Sequence, residues 1–190
     1  MRTCPVCDVR ITRIGASGPS PTYCSARCRK RASRARQAAA QTIPAEMRSE
    51  TRWVRAVGKR PVTTAGTPAS STDPSTWTTY RDVQASQAGD GLGIMLGGGI
   101  ACIDLDHCLT DDGDLSDRAR RIVDAVPGAW IEKSRSGTGL HIFGYLPESR
   151  GICREGVEVY SRARFILITG DVWRAGELID LTAALEVAMQ

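Results

Sequence analysis

The chain has 190 residues and a mass of 20.5 kDa, room for one ordinary domain with a small appendage. At 42% hydrophobic and 24% charged residues it excludes disorder throughout, and at 5% aromatics its core has to be mainly aliphatic. The net charge of +4 hides an asymmetry: residues 1–60 carry 14 Lys or Arg against three acidic residues, and the remainder carries 11 against 18. A basic arm on an acidic body points to a polyanionic partner held near a site that binds cations. The longest apolar run, 94–103, contains three glycines and is too short to span a bilayer, so no membrane association is expected. The opening Met1-Arg2-Thr3-Cys4 stretch has no apolar h-region, so no secretory signal is read. An odd count of seven cysteines fits a reducing cytoplasm better than a disulfide framework.

The first segment, residues 1–36, carries Cys4-x2-Cys7 and Cys24-x3-Cys28, two close pairs of thiols suited to a tetrahedral structural Zn²⁺. So short a segment has little core of its own, so the metal would supply most of its folding free energy. A helix is expected from Arg27 to Arg36 with Cys28 in its first turn. Arg27, Arg29, Lys30, Arg31 and Arg34 on it form a candidate nucleic-acid contact; a protein-docking clip with a solvated basic helix is the alternative. Residues 37–51 read as the helix tail and then a linker broken at Pro44.

From residue 52 to 190 apolar periodicity is continuous enough for a core, after a Thr-, Ser-, Ala- and Pro-rich stretch (62–79) that reads as a flexible loop. Gly93–Leu96 and Ile100–Asp106 read as strands joined through Gly97-Gly98-Gly99. Leu115, Ala119, Ile122, Val123 and Val126 recur at helical spacing, with Asp114 or Ser116 as cap and Pro127-Gly128 as stop. Ala129–Lys133, Leu140–Leu146, Val157–Tyr160 and Phe165–Thr169 follow as strands, and Leu178–Ala188 as a closing helix. The mixture predicts an α/β or α+β sandwich with one sheet face covered by helices.

Ile103-Asp104-Leu105-Asp106 places two carboxylates on one side of an apolar strand, about 7 Å apart. Carboxylates so placed can converge on a pair of divalent ions, whose charge offsets their repulsion. A strand end fraying into the acidic loop of Asp111, Asp112 and Asp114 would leave the same residues. Cys102, on the same strand, reads as a small buried hydrophobe, and Cys108 lacks a matching partner. The pattern is not an EF-hand, and the glycines from 91 to 99 form neither a P-loop nor GxGxxG. Ser134-Arg135-Ser136-Gly137-Thr138-Gly139 is a small turn whose amides can form an anion-binding nest, and His141 opens the next strand. In Val157-Glu158-Val159-Tyr160 a third carboxylate is embedded in an apolar strand. Arg164 follows closely, able to clamp a triphosphate bidentately.

Asp-Leu-Asp, then Ser-Gly-Thr-Gly-Leu-His, then a hydrophobic-flanked Glu resembles the archaeo-eukaryotic primase superfamily. The likeness is to its primase–polymerase branch carried by phages and mobile elements. Lys59-Arg60-Pro61, the 69–74 and 77–80 stretches, and Arg164-Phe165 before Thr169-Gly170 are similar to the same branch, so the resemblance covers roughly 52–190. It implies an RNA-recognition-like sheet with Asp104, Asp106 and Glu158 on its open face as ligands for Mg²⁺ or Mn²⁺. Ser136, with Gly137 and Gly139 of its turn, and His141 would lie on the nucleotide's phosphates; Lys59, Arg60 and Arg164 would meet template or triphosphate. The activity implied is template-directed synthesis or extension of primers on single-stranded DNA from nucleoside triphosphates, in a bacterial host's cytoplasm. A replicative helicase encoded separately would do the unwinding. A metal-dependent nuclease using the same carboxylates, or a non-catalytic zinc-finger accessory protein, are the other readings.

Overall fold

The computed structural model describes residues 3–11, 21–32, 34, 43–110 and 112–190. The chain divides into two compact units, Met1–Gln41 and Thr42–Gln190. In the first unit Thr3 bridges Arg10, and residues 26–32 and 34 lie in helix α1; Arg36, the expected end of that helix, lies outside the described residues.

The second unit is α+β. It begins with α2 (Ala45–Ser49), whose Met47 is fully buried and accepts a hydrogen bond from Trp53 Nε1 at 2.9 Å. The second half of the stretch read as linker is thus folded onto the body, because Met47 supplies the apolar anchor that a composition count passes over. Strands β1 (Trp53–Val57), β2 (Arg60–Val62), β3 (Gly91–Met95) and β9 (Phe165–Ile168) form an antiparallel sheet in the order β2-β1-β3-β9. The stretch read as a flexible loop is internally hydrogen-bonded. Thr63 and Thr67 pair, Trp77 Nε1 donates to the Ser70 carbonyl, and Asp73 caps a 3-10 turn over Pro74–Thr76. Helix α3 (Tyr80–Ala85) follows, capped by Thr79, and packs against β1.

The larger sheet runs β10 (Val172–Arg174), β5 (Trp130–Lys133), β6 (Leu140–Tyr145), β4 (Ile100–Leu105), β8 (Val157–Tyr160), β7 (Ile152–Arg154). β11 (Ile179–Asp180) adds in parallel to the end of β6. Helices α4 (Asp117–Asp124) and α5 (Thr182–Ala188) contact each other and share one buried core with this sheet. Ile103, Leu105, Ile131, Ile142 and Val159 meet Ile122 and Val123 of α4 and Ala184 and Ala188 of α5 there. Each large aliphatic side chain contributes on the order of 1.5–3 kcal/mol by leaving water.

Of the two candidate caps, Ser116 caps α4, its hydroxyl accepting from the Ala119 amide. At the other end the Arg174 guanidinium donates to the carbonyls of Val123 and Val126 and, at 3.4 Å, to that of Ala129. The closing helix starts later than its apolar pattern indicates, because residues 179–180 pair with β6 first and Asp180 Oδ1 then accepts from the Thr182 amide at 2.7 Å. No described helix is long and apolar enough to cross a membrane.

Candidate active site

A single row of side chains crosses five strands of the larger sheet. Glu132 on β5 pairs with His141 on β6, His141 with Asp104 on β4, Asp104 with Glu158 on β8, and Glu158 with Cys153 on β7. Directly opposed residues of antiparallel strands project from the same face. The neighbouring row of Ile131, Ile142, Ile103, Val159 and Ile152 projects to the other face and into the helix-covered core. The polar face is only partly open. One step along it, Trp130, Phe143 and Cys102 are fully buried, so the face expected to be open is roofed on that side.

At the open end lies a cleft of about 500 Å³ lined by Lys59, Asp104, Asp106, Ser136, His141 and Arg164, with β9 as a wall. Arg60, Gly137, Gly139 and Glu158 do not line it. Arg60 sits on the opposite side of its strand from Pro61, which does. Asp106 lies just past β4 and is exposed; His107 (φ 47°) turns the chain there, which ends the strand one residue earlier than its sequence indicates.

Asp104 Oδ1 is buried and has no hydrogen-bond partner among the described residues, with His141 Nε2 3.8 Å away. Burial pushes the Asp104 carboxyl above its ordinary range, and the charges of Asp106 and Glu158 push the same way against the pull of His141. For His141, burial lowers the imidazole, but its hydrogen bond to Glu132 and the charges of Glu132, Asp104 and Asp106 outweigh this and raise it. Glu158 accepts from Tyr160 Oη at 2.9 Å, and Arg164 Nη2 stands 3.5 Å from the same oxygen while its guanidinium lies 4.3 Å over the Tyr160 ring. Burial, Cys153 and Glu158 together raise the Tyr160 phenol.

The Ser134–Gly139 turn differs from the nest its glycines invite. The amides of Ser134, Gly137 and Thr138 all donate within the turn, and its hydroxyls make a chain instead, Ser134 to Ser136 to Thr138 at 3.0 Å each. Gly137 takes φ +80°, and a Cβ on Gly139 would stand 2.7 Å from the Leu105 carbonyl, so both glycines shape the turn. Arg135 ties it to the β1–β2 hairpin, donating to the Gly58 carbonyl at 2.9 Å and to Asp90 at 2.8 Å.

The residue that sequence reasoning passed over is Glu132. Fully buried, it lies 3.1 Å from His141 Nδ1 and accepts from the Thr169 amide and from the Gly170 amide. The signal was present: Glu132 alternates with Trp130 on an apolar strand, as Glu158 does on its own.

The first unit holds a separate cluster. The Sγ atoms of Cys7, Cys24 and Cys28 lie 3.4, 3.5 and 3.7 Å apart, and with Cys4 all four fall within 4.8 Å of one another. A tetrahedron with metal–sulfur bonds of about 2.3 Å has edges of about 3.8 Å, so this set of thiols can hold a metal ion. Among the described residues it is the one cluster of three or more such ligand atoms this tight. The backbone at Cys24 lowers the Cys4 thiol to about 6, while the thiols of Cys7 and Cys28 push Cys24 up to about 12. Arg27, Arg29, Lys30, Arg31 and Arg34 are all exposed.

The cleft thus brings two carboxylates, a histidine and cationic side chains together. Residues 19–178 match the family of bifunctional DNA primase/polymerase N-terminal domains, and the chain belongs to that family. A DNA primase-polymerase of Nitratiruptor phage NrS-1 is 34% identical to it over 124 residues. That match takes in 57% of this chain but 17% of the relative, so the chain spans a small part of that protein's length.

Proposed function

We propose that the protein is a template-directed nucleotidyltransferase that makes or extends primers on single-stranded DNA. The observation that carries this reading is the unpartnered, buried oxygen of Asp104, flanked by Asp106 and Glu158, in a cleft that also holds Lys59, His141 and Arg164. A buried anionic oxygen without a partner is costly, and a divalent cation offsets that cost. Asp104, Asp106 and Glu158 would hold Mg²⁺ or Mn²⁺. When bound, such ions supply Lewis-acid stabilisation of the attacking 3′-oxygen and of the departing pyrophosphate. His141 Nε2 and the Ser136 hydroxyl hold the triphosphate, and Lys59 adds positive charge. Arg164 is shared between Glu158 and the triphosphate. These groups position the reacting atoms and offset developing charge. The helix-flanked sheet is read as the RNA-recognition-like core of this family. The cysteine cluster is read as a Zn²⁺ finger whose basic helix holds the template strand by its phosphates.

The test is nucleotide incorporation on single-stranded DNA with Mn²⁺ or Mg²⁺ and each nucleotide set, with and without a primer, using Asp106→Ala as control. Products that vanish in the variant support the reading. Template cleavage without synthesis would replace it by a nuclease, and DNA binding without chemistry by an accessory module.

A further inference from the structure

We propose that Glu132 is a positioning residue of the cleft: it fixes the His141 ring so that Nε2, and no other ring nitrogen, faces Asp104 and the incoming phosphates. Glu132 is fully buried, and every hydrogen-bond partner it has among the described residues is a donor or a ring nitrogen. The Thr169 amide donates to both carboxylate oxygens at 3.1 Å, and the Gly170 amide to Oε2 at 3.0 Å. The remaining approach, to Oε1, is taken by His141 Nδ1 at 3.1 Å. A carboxylate only accepts, so Nδ1 carries the proton whether the ring is neutral or charged. Nε2 is then the nitrogen left to the cleft, where it lies 3.8 Å from Asp104 Oδ1. Packing does not require a charged group at this position, since an apolar side chain of similar size fills such a space at lower cost. Thr169 and Gly170 directly follow β9, the cleft wall, so one carboxylate joins that wall to the strand carrying His141.

The tautomer is read first, in the unmutated protein, by nitrogen NMR of its two histidines, with His107→Gln to assign them. The expected result is a proton on His141 Nδ1; an unprotonated Nδ1 overturns the proposal. The second arm rests on the proposed nucleotidyl transfer and uses Glu132→Gln, which keeps the shape but must turn an NH₂ toward either the two amides or Nδ1–H. Affinity for a nucleoside triphosphate with Mn²⁺ should fall about tenfold in an otherwise native protein and less than twofold in a His141→Ala background. An equal loss in both backgrounds makes Glu132 purely structural and overturns the proposal, as does undiminished affinity in Glu132→Gln. If Glu132→Gln does not fold, the tautomer decides alone. If the native protein neither binds nor incorporates nucleotide, the functional reading fails while the tautomer still tests the geometry.

Discussion

Asp104 pays for its position in stability. Its carboxylate is drawn into a largely buried site beside two like charges, and one oxygen has no partner among the described residues. Asp104→Asn removes the repulsion and keeps the shape, so the metal-free variant should be more stable than the native protein by about 1 kcal/mol in urea unfolding. It should also be inactive in nucleotide incorporation. Mn²⁺ should raise the melting temperature of the native protein and leave the variant's nearly unchanged, because only the former gains a ligand-linked term. A variant less stable than the native protein would mean that Asp104 is satisfied without a cation. That Asp104 and Glu158 share one face of the sheet was legible because a charge inside an apolar alternation is an anomaly that asks for a reason. The hydroxyl chain of the Ser134–Gly139 turn was not, because whether an amide is free or spent depends on a turn geometry that composition leaves open.

Elements hold these residues in place through a few polar ties. Arg135 donates to Asp90 and holds its carboxyl below the usual range. The folded state therefore binds that proton less tightly than the unfolded one. The contribution of the pair is present above pH ~4 and fades as pH falls through the depressed folded value. Both side chains are more than a third exposed, at 40% and 53%, so the pair adds less than about 1 kcal/mol to global stability. Its effect is local: Asp90→Asn should weaken nucleoside triphosphate binding a few-fold by loosening the Ser134–Gly139 turn, with the melting temperature almost unmoved. Arg174 is different, because it is half-buried and its guanidinium serves the last carbonyls of α4. Arg174→Ala removes a charged donor from carbonyls that each keep one backbone amide, and should cost about 1 kcal/mol in urea unfolding. The central strands and α4 could be read from periodicity and caps. Short strands such as β2, β7 and β10 could not, since three residues carry no period and exist only through their partners.

Across the whole molecule the two units answer to different physics. The body has an aliphatic core of its own, while the first unit brings four thiols together. If those thiols hold zinc, the native protein should carry about one ion per chain, and Cys7→Ser should lose it. That variant should keep the body's thermal transition and primer extension. It should bind single-stranded DNA more weakly, with a shallower dependence on salt as basic contacts are lost. Native metal content in Cys7→Ser would rule out the tetrahedral assignment. The charge asymmetry and cysteine spacing set residues 1–36 apart in the sequence, whereas the fold of Ala45–Ser49 was hidden because within that helix only Met47 is buried, with Ile43 and Pro44 buried just before it.

The polar row across the sheet also guards folding fidelity. Side chains alternate with period two, so a one-residue slip of β4 against its neighbours would turn Asp104 into the helix-covered core and Ile103 out toward solvent. A mispaired β4 would thus bury a charge among apolar side chains with no compensation, which the chain avoids by several kcal/mol. The same acid that would hold the metal makes a mispaired arrangement of these strands hard to populate, so a molecule that has folded at all has Asp104 facing the cleft.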